Sequence, residues 1–241
     1  MSFAYVHKIN EEIKMNESIH TKFENFYKNP THNTLCELLC KNFGETYLYD
    51  FKKDWQSFQR MAKHILGFSN SRGGGIIIGV SQNKDNTFNI TGLKNLIDKS
   101  AIHQGIRKYI PDIPDKRIYE VLDFSYDSTY KCKEVAGKNF QVIIIKDIPT
   151  QIPFVSNQDE DDIRKGTVYI RKEGSTEPSN YDELQEIINR RTKECDKTIP
   201  LIRPNSKYSN INPTQEIKLE RTNIQILGYI KQNYINLILK E

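Results

Sequence analysis

The chain has 241 residues, 37% of them hydrophobic and 27% charged, with 35 Lys and Arg against 31 Asp and Glu for a formal net charge of +4. That length supports a core of domain size and excludes a peptide or a fibre. No apolar run approaches the roughly 20 residues that span a bilayer, and the start Met1-Ser-Phe-Ala-Tyr-Val-His-Lys8 lacks the basic-then-apolar order of a secretory signal, so a cytoplasmic protein with no membrane association is expected.

Residues 1–43 read as an N-terminal helical extension, with Leu35, Leu38, Leu39 and Phe43 at apolar spacing and a break at Asn29-Pro30. From Thr46 to Phe51 the pattern becomes that of a strand, and Trp55, Phe58, Met61, Ala62, Ile65 and Leu66 then recur at helical spacing. Three glycines, Gly73 to Gly75, stop this helix, and the continuous run Ile76-Ile-Ile-Gly-Val80 restarts the chain as a strand buried on both faces. Asn83 to Asn86 supplies a turn, and Phe88-Asn-Ile-Thr-Gly92 closes a hairpin.

Residues 93–109 suit another helix, ended by Pro111 and Pro114. Strands follow at Ile118 to Phe124 and Phe140 to Ile145, joined by a polar loop from Tyr126 to Lys138 that is expected to be mobile. Asp159 to Asp162 is an acidic run read as a solvated loop. Gly166 to Lys172 is a strand entered from a glycine, and Ser179-Asn-Tyr-Asp182 resembles a capping box opening a helix with Leu184, Ile187 and Ile188. The main domain is expected over residues 44–191, followed at 192–241 by a linker rich in Pro, Asn and Ser and a C-terminal helix from Thr214 to Leu239. The apolar residues of that last helix make it the expected surface for a homo-oligomer or a protein partner.

Three segments carry chemistry. Glu45 and Asp50 are two carboxylates five residues apart, with Lys52 beyond them. Strand geometry puts Asp50 and Lys52 on one face and Tyr47, Tyr49 and Phe51 on the other, so Glu45 converges with Asp50 only if it precedes the strand or a bulge intervenes. Converging, they would hold Mg²⁺ or Mn²⁺ while Lys52 offsets charge on a phosphodiester, whereas diverging they are surface acids on a strand edge.

At the glycine turn, Asn70, Ser71 and Arg72 stand where an opened backbone could meet a phosphate or a ribose, although for the turn taken alone a tight helix-to-strand connection needing positive φ is the favoured reading. Gly-Lys-Ser/Thr is absent and the helix precedes the glycines, which excludes a Walker loop. Around the third segment, Tyr169-Ile-Arg-Lys-Glu-Gly-Ser-Thr176, basic and hydroxyl side chains suit a polyanion.

Elsewhere the signals are weaker. The four cysteines, Cys36, Cys40, Cys132 and Cys195, show neither paired zinc spacing nor the density of a disulfide scaffold and read as reduced thiols. His32, Cys36 and Cys40 align at i, i+4 and i+8 on a helix, without an evident fourth ligand, as packed thiols do. His64 and His103 have no nucleophile partner in the pattern.

In order along the chain, Glu45-x4-Asp50-Phe-Lys52, Phe68-Ser-Asn-Ser-Arg-Gly-Gly-Gly-Ile-Ile-Ile-Gly-Val80, Gly92-Leu93, Ile110-Pro111 and Tyr169 to Thr176 resemble the AlbA-type domain of the Schlafen family over residues 44–191. The resemblance implies an α/β (α+β) domain with a mixed β-sheet and flanking helices. It implies nucleic-acid binding and, in members that cleave RNA, a metal-dependent site of three acids acting on transfer RNA or other structured RNA, as in antiviral defence. Carried onto this chain, Glu45 and Asp50 match the first two acids and Mg²⁺ or Mn²⁺ ligands, and Lys52 is the phosphate stabiliser. Lys53, Asn70, Ser71, Arg72, Arg171, Lys172 and Ser175 are the expected contacts to RNA, with DNA as the alternative. The third acid would follow Gly79-Val80, where this chain has Ser81-Gln82-Asn83, leaving Asp85 or Asp123 as replacements. An endoribonuclease is therefore weighed against a binding or assembly module that has lost the third acid.

Overall fold

A computed structural model describes residues 21–40, 48–83, 87–113, 117–172 and 174–198. Glu45, Tyr47, Asp85 and the expected helix from Thr214 to Leu239 lie outside the described residues. The described elements are α1 (residues 21–28), α2 (His32–Leu39), β1 (Tyr49–Lys52), α3 (Phe58–Asn70), β2 (Gly74–Ile78), β3 (Val80–Gln82), β4 (Phe88–Ile90), α4 (Lys99–Arg107), β5 (Tyr119–Ser125), β6 (Asn139–Ile145), β7 (Tyr169–Lys172), β8 (Ser175–Pro178) and α5 (Tyr181–Thr198).

The fold is α+β. Its centre is a four-stranded sheet of order β1-β2-β6-β5, in which β1 and β2 run parallel and the other pairs antiparallel. The parallel pair needs a crossover, and α3 provides it. Period-2 alternation then sorts the sheet's side chains into two cores. Asp50, Ile76, Ile143 and Val121 share one row, and their face packs on α3, α4 and Ile187 of α5. Tyr49, Phe51, Ile77, Val142 and Ile144 point the other way, where Phe23 and Phe26 of α1 and Leu35, Leu38 and Leu39 of α2 cover them. Phe23 stacks on Tyr49 with ring centroids 5.2 Å apart. The N-terminal helices thus supply one layer of the fold.

Local chemistry sets the element ends. Thr31 and Thr34 cap α2 reciprocally. Helix α4 starts at Lys99, because Asp98 accepts from the Ala101 N–H at 3.1 Å and caps it there. The six residues before Lys99, expected as helix, are held otherwise: the buried Gln141 amide accepts from the Ile97 N–H and donates to its carbonyl. The α5 cap falls one residue later than expected, on Asn180 and Glu183, which exchange hydrogen bonds of 2.8 and 2.9 Å. The same helix continues seven residues past Arg191, through Thr198.

The apolar run at Ile76 to Val80 divides at Gly79, after which β3 leaves the central sheet to pair with β4 as the expected hairpin. The loop expected to be mobile, Tyr126 to Lys138, is anchored on α2. Val135 is buried, Tyr126 donates to the His32 carbonyl at 2.7 Å, and Tyr130 donates to Asn33 at 2.7 Å. Among the described residues, no helix is long and apolar enough to cross a membrane.

Candidate nucleic-acid interface

Strand β1 places Asp50 and Lys52 on the α3 side of the sheet, as strand periodicity requires, and Lys52 Nζ lies 2.8 Å from Asp50 Oδ2. Strand β7 crosses the same side and brings Arg171 Nη2 to 3.6 Å from Asp50 Oδ1. Both side chains of that second pair are 1% exposed. The guanidinium lies over the Phe68 ring, 5.1 Å from its centroid, and its nitrogens make no hydrogen bond. A cation at this depth is tolerated because carboxylate and ring face compensate its lost hydration.

His64 of α3 completes the cluster, with Nδ1 3.0 Å from Thr176 Oγ1 of β8. Burial lowers its pKa to about 4, against the pull of the Asp50 carboxylate, which raises it. The imidazole is therefore neutral near pH 7, and Asp50, Lys52 and Arg171 sum to one excess positive charge beneath the surface. Gly67 permits the close packing of β8 on α3, since a Cβ there would lie 2.5 Å from Thr176 Cγ2.

The turn from α3 to β2 stands beside this cluster. Arg72 adopts φ +79° and Gly73 φ +75°, both in the left-handed region. A Cβ on Gly73 would meet the Ile145 carbonyl oxygen at 2.6 Å, so the turn admits only glycine there. A left-handed arginine is a sparsely populated conformation of the kind that clusters at binding sites. Here the exposed Arg72 lines a groove of about 1340 Å³. Ser71, Arg171 and Lys172 line this groove from the turn and β7, and Arg190 and Lys193 line it from α5. Four acids, Asp147, Glu183, Glu186 and Glu194, lie among these five cations: Lys172 is 2.9 Å from Glu183, and Arg190 is 3.3 Å from Asp147.

Of the residues expected from sequence, Ser71, Arg72, Arg171 and Lys172 thus converge on one groove. Asn70 reaches its wall, but its polar atoms are engaged inside the protein: the amide donates to the Phe154 and Tyr169 carbonyls, each at 2.9 Å, and Oδ1 accepts from the Phe154 N–H at 2.7 Å. Asn70 is thus a structural clamp between α3, β7 and the segment around Phe154, which corrects its expected contact with a ligand. Ser71 Oγ accepts from the Arg171 N–H at 2.9 Å and fixes β7 to the turn. Ser175 donates to Glu177 at 3.0 Å, and Lys53 is exposed beyond β1, neither of them lining the groove.

Asp123 is excluded as a replacement third acid. It lies on β5, three strands from β1, about 14 Å away at normal strand spacing, and is engaged by Lys99 and Gln141. Ser81 stands on β3, its hydroxyl donating to the Asn89 carbonyl at 3.4 Å. Mg²⁺ and Mn²⁺ take clustered oxygen donors. Asp50 is enclosed by two cations, and among the described residues no three acid, histidine or cysteine side chains gather around it. The described donors do not fit such an ion.

Arg190 and Lys193 were not singled out from sequence. Their signal was present, since Glu183, Glu186, Arg190 and Lys193 recur at helical spacing on the face beside Ile187.

The sequence profile "Schlafen, AlbA_2" matches residues 45–180. No curated protein matches the chain. Among solved structures, the DIP2311 protein of Corynebacterium diphtheriae is similar at 17% identity and a TM-score of 0.42, over 71% of this chain and 28% of that one. The N-terminal domain of a RecG-related protein from Nitrosomonas europaea is similar at 15% identity and a TM-score of 0.34, over 57% of this chain and 86% of that one. This chain accordingly spans under a third of the Corynebacterium protein's length.

Proposed function

The chain belongs to the Schlafen, AlbA_2 family, and from that premise we propose that it binds RNA through the phosphate backbone along the groove between the glycine turn, β7 and α5. The observation that carries this reading is the convergence of Arg72, Lys172, Arg190 and Lys193 from three separate elements on one groove, above the buried positive excess of Asp50, Lys52 and Arg171. Arg72 and Lys193 are exposed and are the first to meet a phosphate. Glu183 and Asp147 hold Lys172 and Arg190 until an incoming phosphate replaces them. Asp50 acts as a positioning residue, holding Arg171 and Lys52 in place under the groove.

A second reading, metal-dependent endoribonuclease action with Glu45 and Asp50 as ligands and Lys52 as phosphate stabiliser, draws on the pairing of a buried carboxylate with Lys52 at 2.8 Å. It requires that Arg171 release the Asp50 carboxylate.

Both readings are tested on one set of samples: total transfer RNA, single-stranded RNA and duplex DNA, with Mg²⁺, with Mn²⁺ and with chelator. Binding by phosphate contacts predicts that log affinity falls by about 0.7 to 0.9 per log of salt for each phosphate neutralised. Arg72→Ala and Lys193→Ala should each weaken binding and flatten that slope by about one contact. A salt-independent affinity refutes the groove reading. Cleavage that needs metal, Glu45 and Asp50 establishes the second, and preference for duplex DNA redirects the first.

A further inference from the structure

Three of the four cysteines meet on the opposite face of the sheet from the groove. Cys36 lies in the last turn of α2, and Cys40 is its C-cap, its N–H donating to the Cys36 carbonyl at 2.8 Å. Their sulfurs are 3.4 Å apart. Cys132 comes from the β5–β6 loop, 92 residues further along, and all three Sγ atoms lie within 4.8 Å of one another.

The structure joins Cys40 and Cys132 as a disulfide, yet their Cα atoms are 7.6 Å apart, beyond the roughly 4.4 to 6.8 Å that such a bond normally spans. The i, i+4 spacing on α2 sets Cys36 Sγ against the pair, so that three sulfurs stand together. Tetrahedral zinc accounts for the Cα separation and uses the third sulfur. Thiolates about 2.3 Å from a central ion sit about 3.8 Å from each other, which lets the backbones stand further apart than a direct S–S bond does. Cys36-x3-Cys40 is a usual ligand spacing for one side of such a site.

We propose that Cys36, Cys40 and Cys132 bind one zinc ion as thiolates, fastening α2 to the β5–β6 loop. Among the described residues the three sulfurs gather without a fourth ligand, Glu134 Oε2 lying 3.1 Å from Cys132 Sγ but outside the group, so the fourth position is left to solvent. His32, aligned with the two helical cysteines in sequence, is not part of the group. Its ring packs edge-on against Phe124 and Tyr126 instead. Starting from the three reduced thiols, binding is not a redox step: each gives its proton to solvent and a sulfur lone pair to the ion, whereas a Cys40–Cys132 disulfide would first have to take two electrons from an external thiol. Each thiol must lose its proton to bind, so zinc affinity should increase with pH. The ion would close the layer formed by α1, α2 and the Tyr126–Lys138 loop, which is otherwise tied by the Tyr126 and Tyr130 hydrogen bonds.

The test uses the full chain, expressed with added zinc and purified without chelator. Elemental analysis should find about one zinc per chain, retained in Cys195→Ser and lost in Cys36→Ser. Replacing zinc with cobalt should produce thiolate-to-metal absorption in the wild type and in Cys195→Ser. As a readout that does not depend on variants folding, thiols are counted in the unfolded wild type with chelator and no reductant. The zinc site predicts that all four cysteines react. Absence of metal with only Cys36 and Cys195 reactive would establish the disulfide and overturn the proposal, as would four reactive thiols in a protein that never takes up zinc or cobalt.

Discussion

Acid should destabilise this protein through His64, by an amount set by burial. Its pKa is lowered to about 4 in the folded protein, with desolvation the largest cause, whereas in the unfolded chain it returns to about 6.5. Above pH 6.5 both states are neutral at this position and stability does not depend on it. As pH falls below 6.5 the unfolded chain takes up a proton that the folded protein refuses, so stability declines until the folded imidazole itself titrates near pH 4. The gap of about 2.5 pH units corresponds to about 3 kcal/mol, lost at a limiting rate of about 1.4 kcal/mol per pH unit. Urea unfolding of the wild type and of His64→Gln from pH 7.5 to 4 isolates this share, because every other titrating group is common to both. Glutamine keeps a polar partner for Thr176 but has no proton to gain. The stability difference between the two proteins should therefore shift by about 3 kcal/mol in favour of the variant across that range. A difference that stays flat with pH would refute the reasoning and mean that water reaches the imidazole.

Three further outcomes follow from the same cluster and its clamp. Asn70→Ala removes three buried hydrogen bonds and leaves Phe154 and Tyr169 backbone groups unsatisfied, for an expected loss of about 2 to 4 kcal/mol in urea unfolding. A loss below about 0.5 kcal/mol would contradict its assignment as a clamp. Arg171→Met leaves Asp50 buried beside Lys52 alone and should cost about 3 to 5 kcal/mol, while the Asp50→Asn/Arg171→Met double variant should cost clearly less than the sum of the singles. Additive costs would show that the two charges do not stabilise each other. Gly73→Ala should destabilise by about 1 to 3 kcal/mol, through both its φ of +75° and the clash with the Ile145 carbonyl, and a neutral result in thermal unfolding would refute the turn geometry.

Asp50 and Arg171 are both 1% exposed, so substitutions there act through the scaffold under the groove. Arg72 and Lys193 are exposed, and their loss should change affinity and salt dependence with little effect on folding. That separation makes them the sharper probes of function.

Much of the fold was legible in sequence because it rests on local rules. The 3.6 spacing of Met61, Ile65 and Leu66, the stop at Gly73 to Gly75 and the unbroken apolar run at Ile76 fixed α3, its turn and β2 in place. Period-2 alternation put Asp50 and Lys52 on one face, where the structure pairs them. The motif order likewise carried the family. Tertiary packing alone decided the rest. Only strand order places Asp123 three strands from Asp50, and only the approach of β7 and α3 buries Asp50 between two cations, because neither sheet order nor desolvation is written in the spacing of a single segment. In the same way Cys132 joins Cys36 and Cys40 across 92 or more residues, and α5 brings Arg190 and Lys193 to the glycine turn. These are contacts between distant segments, set by how two packed faces of one sheet fold the chain back on itself.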